Sequence, residues 1–312
     1  MKAERGAGGV EVEVAAVAES AVVAAGERDA KRRRVVAAAP GGGRRGGGGG
    51  GGAGVGRRGR RRRVQADAAA VQRLFQACRA VFRGPGTVPA PGEVHLLRAM
   101  LDRMRPEDVG LSPDLKFFRT RDPADGAPTI TQTTIYKCPN FSMVIFFLPP
   151  NAVIPLHNHP GMTVFSKLLL GSMHAKSYDW VDPDHDASLT SCSSSPGGQL
   201  RLAKVVVDGV FTAPCNTSVL YPTTGGNMHR FSAIEPCAIL DILGPPYSIE
   251  EDRDCTYYTD IPYTQHSTSD GAANDTCIEQ GQDRLAWLKE IDMPRELKMC
   301  SVHYGGPPIS DK

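Results

Sequence analysis

The chain has 312 residues, with 36 lysines and arginines, 34 aspartates and glutamates, and a formal net charge of +2. This near-neutral sum hides a division, because residues 1–66 carry 15 basic and 6 acidic side chains, whereas residues 67–312 carry 21 basic and 28 acidic ones. No apolar run reaches the roughly 18 residues that a membrane-spanning helix needs, and this excludes such a helix.

The first 66 residues form a basic, low-complexity tail that contains half of the 34 glycines. Such a segment buries too little apolar surface to offset its chain entropy, so we predict that it is disordered. Its basic clusters, KRRR at 31–34 and RRGRRRR at 57–63, are typical of sequences that dock on nuclear import receptors, and they predict a protein of the nucleus and cytoplasm. Contact with nucleic-acid phosphates and a merely solvated extension remain alternatives.

Residues 67–312 are long enough for one large domain with a substantial core. Two helices are predicted at its start. The first is Asp67–Phe82, which has apolar residues at helical spacing and ends before a Gly-Pro-Gly turn, and the second is the shorter segment Glu93–Met104.

From Thr129 onward the hydrophobic period changes from about 3.6 to about 2 residues, which predicts strands. The runs are short and rich in β-branched residues, a pattern typical of an antiparallel sandwich or barrel. They are Thr129–Tyr136, Phe141–Leu148, Thr163–Leu170, Ser172–Trp180, Leu200–Val207, Ser218–Tyr221 and Cys237–Leu243. We expect Asp182–Gly198 to be a long surface loop and Gln282–Ile291 to be a closing helix that packs on the barrel.

Three of the eight histidines stand in a pattern that favours a metal site. Alternate residues of an extended segment point to the same side, so His157 and His159 can direct two imidazoles into one cavity. His229 follows a glycine-containing turn and enters another strand, which can bring a third imidazole to the same point. The residues alone leave the metal open between redox-active iron(II) and a zinc ion used for hydrolysis or hydration. His174 lies on the strand after the pair, and one alternative is that it supports the ligands without binding the metal itself.

Longer segments carry a family resemblance. The HxH pair and the GxxH motif that ends at His229 look like the two motifs of the cupin superfamily, with Val164 where a glutamate is common and Ala233 where an asparagine is common. The strings LHNHPGMTVFSKLLLGSMHAKSYDW, LYPTTGGNMHRFSA, AILDILGPPYS, YYTDIPY and LKEIDMPRELKMCSVHYGGPPI resemble the cysteamine dioxygenase branch of the thiol dioxygenases, and most closely the plant cysteine oxidases. The resemblance covers roughly residues 67–312. It implies a mainly β, cupin-type double-stranded β-helix, a jelly-roll barrel with short N-terminal helices.

The resemblance also implies what the site does. His157, His159 and His229 would hold iron(II), because three-histidine iron sites mark the thiol dioxygenases among cupins. Both atoms of O2 would be added to the thiol of a protein's N-terminal cysteine to give a sulfinic acid. Group VII ethylene response factors would be substrates, in the arginine branch of N-degron degradation and the hypoxia response. Asp241 would orient the substrate amine or a ligand imidazole, and Tyr247 would hydrogen-bond the substrate or oxygen.

The sequence also predicts features outside the histidine set. The spacing of Cys255 and Tyr257 allows a sulfur–ring cross-link, with two unlinked side chains as the alternative. We expect a monomer without a membrane partner. The competing class of function is a non-catalytic cupin binding module whose basic tail contacts nuclear or nucleic-acid partners, but a binding module has no need of three imidazoles at ligand positions.

Overall fold

The computed structural model describes residues 70–112, 128–181, 200–263 and 284–311. Within these residues there are two α-helices, α1 at 70–81 and α2 at Pro91–Asp102, and 3-10 turns at Pro106–Val109 and Ile249–Glu251. The strands are β1 Thr129–Lys137, β2 Ser142–Leu148, β3 Val153–His157, β4 Thr163–Leu170, β5 Ser172–Trp180, β6 Leu200–Thr212, β7 Ser218–Leu220, β8 Met228–Ala233, β9 Cys237–Gly244, β10 Tyr257–Pro262, β11 Leu285–Ile291 and β12 Lys298–Ser301. The predicted tail at 1–66 and the predicted loop at Asp182–Gly198 lie outside the described residues.

The strands divide into two groups of six. The first group is a sheet in the order β12-β1-β2-β9-β4-β7, antiparallel except for the parallel pair of β1 and β12. The second group, in the order β10-β11-β6-β5-β8-β3, closes into a barrel because β10 pairs with β3 at Tyr257 and His157. The prediction of a mainly β fold with a barrel is therefore confirmed.

The helices cover the outer face of the first sheet. Phe75 and Phe82 of the α1 region are buried in one cluster with Phe141, and with alternate residues of β9 such as Leu240 and Ile242. This is the largest hydrophobic cluster among the described residues. It explains why α1 forms, because a short helix gains most of its stability from packing an apolar face.

The opposite face of β9 looks into the space between the two sheets. Every residue of β9 is buried, and Ile239 packs in a cluster that contains residues of both sheets, including Phe231 of β8. Leu243 packs with Val164 in another interior cluster. Alternate residues of a strand share a face, so Asp241 points into this same interior.

The prediction of a closing helix at Gln282–Ile291 is wrong, because the described part of that segment forms strand β11. β11 pairs with β6 on one side and with β10 on the other, so its backbone groups are satisfied by two neighbours. A helix of this length would be marginal without packing, and the pairing therefore overrides the helical propensity of Leu-Ala-Trp-Leu-Lys-Glu. Trp287 and Leu288 of this strand are buried.

Smaller differences follow from the pairing. β6 extends to Thr212 rather than ending at Val207, because it pairs with β5 along its length. The short strands β10 and β12 carry no clear alternation and were not predicted. Among the described residues, no helix is long and apolar enough to cross a membrane.

Candidate metal centre

Three histidines converge where β3 and β8 lie side by side. His157 ends β3 and is the register partner of His229, near the start of β8. His159 follows β3 by two residues, and the ligand-capable atoms of the three side chains lie within 4.8 Å of one another. All three residues are buried. The structure thus brings together the three residues that the sequence singled out.

Tyr247 fixes the tautomer of His159. The Tyr247 hydroxyl oxygen lies 2.7 Å from the carbonyl oxygen of Asn158 and 2.9 Å from Nδ1 of His159. The carbonyl oxygen can only accept, so it takes the single hydroxyl proton, and Nδ1–H of His159 must donate to the hydroxyl oxygen. The lone pair of His159 is therefore on Nε2, which lies 3.4 Å from Nε2 of His229.

His157 is oriented in the same way. Its Nδ1 lies 2.8 Å from the carbonyl oxygen of Pro155 and donates to it. Metal-binding imidazoles are commonly held like this, because a hydrogen bond from one ring nitrogen fixes the ring and makes the other nitrogen more basic. The group contains no carboxylate and no thiolate among the described residues. Its donor set fits a divalent transition metal.

Burial keeps the three imidazoles neutral. It lowers the pKa of His157, against the hydrogen bond to Pro155, which acts in the opposite direction. The pKa of His159 and that of His229 are lowered further by burial and by the neighbouring histidines. Only an unprotonated imidazole can bind a metal, so these shifts favour metal binding at neutral pH.

Apolar side chains pack against two residues of the site. Tyr247, which binds His159, packs on a buried cluster that contains Val164, Met162 and Leu243. The ring of Phe231 stacks on His229, with centroids 4.3 Å apart and planes inclined by 18°. Because residue 164 is a valine, it supplies no anionic ligand.

Asp241 is a buried carboxyl group in the barrel interior, only 5% exposed. Burial raises its pKa to about 7, although a hydrogen bond with Ser166 acts in the opposite direction. Its Oδ1 atom has no hydrogen-bond partner among the described residues, and no hydrogen bond described there joins it to a ligand imidazole. The predicted contact of Asp241 with an imidazole is thus not seen among the described residues, and its role toward a substrate stays a prediction.

The other candidates fall into different places. Tyr257 lies next to the site, with its ring centroid 6.3 Å from that of His157, and Cys255 is half-buried and forms no disulfide. A cross-link between these two side chains stays a prediction. His174 binds Asp208 at 2.8 Å, with its side chain partly exposed, and so takes no part in the centre.

Two residues that the sequence analysis missed lie behind the ligands. Asn227 binds the backbone of His159, and the Asp179 carboxylate binds the turn that precedes His229. The sequence does contain a signal for Asp179. It occupies one of the alternate positions of β5 that face the interior, and a buried carboxylate there must find hydrogen-bond partners. No local pattern indicates its partners, which lie more than 45 residues away.

None of the described cysteines forms a disulfide, namely Cys78, Cys138, Cys215, Cys237, Cys255 and Cys300. Burial raises the pKa of Cys78 and of Cys215, and that of Cys237 to about 12. These three are therefore held as thiols rather than thiolates.

Comparisons with known proteins identify the family of the chain. The family model PCO_ADO matches residues 100–309. The chain is 49% identical over 244 residues to plant cysteine oxidase 2 of Arabidopsis thaliana, covering 77% of this chain and 83% of that protein. It is 31% identical over 257 residues to 2-aminoethanethiol dioxygenase of Mus musculus, covering 78% of this chain and 97% of that protein. A solved RmlC-like cupin protein from Desulfovibrio desulfuricans aligns with 17% identity and a TM-score of 0.26, over 43% of this chain and 96% of that chain.

Replacing Tyr247 by Phe tests how His159 is held. The variant loses the hydroxyl oxygen that accepts from Nδ1–H of His159, so this ligand ring is no longer held in place. We therefore expect the affinity of the variant for Co²⁺ to fall about tenfold or more. Titration of the metal-free protein followed by cobalt absorption measures this. Tyr136→Phe is the matched control, because it loses a hydroxyl bonded to Asp311 on the surface. Equal affinities in the two variants would contradict the role of Tyr247.

Replacing Asp241 by Asn tests the buried carboxyl group. The unfolded chain releases this proton above about pH 4, whereas the folded chain keeps it to about pH 7. Wild-type stability should therefore fall as the pH rises between these values, by about 1 kcal/mol per pH unit. We expect metal-free D241N to gain stability relative to wild type over this range, as measured by urea unfolding.

Asp102→Asn is the control for this comparison. Burial acts to raise the pKa of Asp102, but the hydrogen bond from Thr217 and nearby positive charges outweigh it, so the pKa is lowered. Asp102 is then ionised in both states above about pH 5, and the difference between D102N and wild type should not change with pH there. A D241N curve parallel to wild type would show that Asp241 is ionised at low pH in the folded protein.

Proposed function

The chain belongs to the PCO_ADO family and is a thiol dioxygenase, and from that premise we propose that it binds iron(II) and oxidises the N-terminal cysteine of proteins to a sulfinic acid. The observation that carries the proposal is the buried, neutral set of His157, His159 and His229, which is joined by no anionic ligand among the described residues.

The metal is proposed from the chemistry of the donor set. Bound iron(II) would supply the redox chemistry by which RSH and O2 combine to RSO2H, with both oxygen atoms retained on sulfur. Three neutral imidazoles leave the full charge of a divalent ion uncompensated, which favours an anionic thiolate over a neutral thiol as substrate. Residue 164 is a buried valine and supplies no competing carboxylate.

The remaining residues are assigned to binding and orientation. Asp241 offers an unpartnered carboxyl oxygen in the barrel interior, and a substrate ammonium group beside it would favour the ionised carboxylate. This supports a requirement for a free N-terminal amine. Tyr247 holds His159 and Asn158 in place, and its predicted contact with substrate or oxygen remains part of the proposal.

The biological setting is proposed from the family resemblance and the tail. Group VII ethylene response factors are the proposed substrates, in the arginine branch of N-degron degradation and the hypoxia response, with the enzyme acting as a monomer. The basic clusters at 31–34 and 57–63 support a location in the nucleus and cytoplasm.

Replacing the arginines and lysines of these two clusters by serine tests this location. Fluorescent fusions of the variant should lose nuclear signal. Unchanged nuclear signal would argue against a nuclear targeting signal in the tail.

A mass-shift assay tests the activity. Purified protein, ferrous iron and a peptide that begins with cysteine should consume O2 and yield a product heavier by about 32 Da. His157→Ala, His159→Ala and His229→Ala should each abolish the gain. His303→Ala is the matched control, because His303 is exposed and outside the cluster, and it should retain activity.

Two further comparisons sharpen the assay. The same peptide with an acetylated N-terminus should not react if Asp241 binds the amine, and D241N should lose turnover. Wild-type iron content and turnover in D241N would show that this role is wrong. Zinc-loaded protein should give no mass gain, because zinc cannot transfer electrons to O2. No product from iron-loaded wild type would refute the proposed reaction.

A further inference from the structure

The turn that leads into His229 has an unusual backbone. Gly225 and Gly226 both have left-handed backbone angles, with φ of +81° and +83°. A Cβ atom on Gly226 would lie 2.3 Å from Oγ of Ser177, which is the register partner of His229 on β5. Only glycine fits there, because a side chain would have to adopt a rare conformation and displace Ser177. The turn is therefore pressed against the strand beside the third ligand.

The Asp179 carboxylate binds this turn through three backbone N–H groups. Oδ2 accepts from Gly225 at 2.9 Å, and Oδ1 accepts from Gly226 at 2.8 Å and from Asn227 at 3.1 Å. Consecutive N–H groups that point to one side form a concavity for an anion, and here the anion is a side chain of the protein itself. Asp179 is 5% exposed, so these charge-assisted bonds are shielded from water.

Asn227 connects the turn to the segment that carries His159. Its Oδ1 accepts from the backbone N–H of His159 at 3.1 Å. Its Nδ2 donates to the carbonyl oxygens of His159 at 2.9 Å and of Tyr221 at 2.7 Å. The amide orientation is unambiguous, because carbonyl oxygens can only accept and an N–H can only donate. One side chain thus holds both backbone polar groups of His159, while its own backbone N–H is held by Asp179.

We propose that Asp179 and Asn227 are positioning residues of the metal centre, which set the separation of His159 and His229 before a metal binds. Neither residue touches the reacting atoms, and the inference rests on the proposed function only in taking the three histidines as metal ligands. The covalent route between these two histidines spans 70 residues, whereas the route through Asn227 is a single side chain two residues before His229. Loss of the connection through Asn227 should therefore weaken metal binding without unfolding the barrel.

Two variants test the proposal. Asp179→Asn has one acceptor oxygen instead of two and turns an amide –NH2 towards the turn, so at least one of the three N–H groups loses its partner. Asn227→Ala removes the bridge to His159. For each, we expect the affinity of the metal-free protein for Co²⁺ to fall about 10- to 100-fold. The visible absorption bands of the bound cobalt should also change, because they report ligand geometry.

Asp102→Asn is the matched control, since its carboxylate likewise accepts a backbone N–H, that of Thr217 at 2.7 Å, away from the cluster. Thermal unfolding of the metal-free proteins is measured alongside. The proposal is supported if the two test variants lose cobalt affinity and alter the bands while D102N does not. It is overturned if all three bind cobalt as wild type does. It is also overturned if the fraction of unfolded protein, taken from thermal unfolding, fully accounts for the lower cobalt affinity of the test variants. The same holds if both test variants fail to fold.

The outcome separates this inference from the proposed function. If the wild-type protein oxidises cysteine peptides and the test variants bind cobalt normally, the positioning role alone is refuted. If the wild-type protein oxidises no cysteine peptide but loses cobalt binding when His229 is replaced by Ala, the proposed reaction is refuted. The positioning role is then judged by the same cobalt measurements.

Discussion

Desolvation of three imidazoles at one point is the constraint on which the rest of the site depends. Removed from water, each ring must stay neutral, and every nitrogen that does not face the centre must find a partner. Pro155 and Tyr247 meet this requirement for His157 and His159. The pairing of β3 with β8 places His157 and His229 opposite each other. The metal centre is thus a consequence of how polar groups are satisfied inside a β-barrel.

The sequence predicted the ligands because their signal is local or nearly so. The alternation in His157-Asn158-His159 places two rings on one side of an extended segment, and the glycine turn before His229 marks the entry of another strand. The positions of Asp241 and Tyr247 required the family resemblance. Their partners in space are carried by other strands, and a single sequence records no long-range pairing.

The one clear failure, the helix predicted at Gln282–Ile291, has the same cause. Leu-Ala-Trp-Leu-Lys-Glu is compatible with a helix in isolation, and only the two open strand edges of β6 and β10 make it a strand. Asp179 was missed for a related reason. Its environment looks unfavourable for a carboxylate until a turn from another part of the chain supplies three N–H groups. Local patterns predict which residues are buried, whereas the fold determines their packing and hydrogen-bond partners.

The cysteines have a consequence for an enzyme that places oxygen on sulfur. Such an enzyme carries, in its own chain, the functional group that it consumes. Its ligand set contains imidazoles and no thiolate among the described residues, and Cys78, Cys215 and Cys237 are kept in the protonated form. A protonated sulfur is a poor nucleophile, and Cys78 and Cys237 are in addition buried, whereas Cys215 is half-buried. The fold therefore makes these three sulfurs poor substrates for the enzyme's own reaction, and we expect self-oxidation during turnover to fall first on the other thiols.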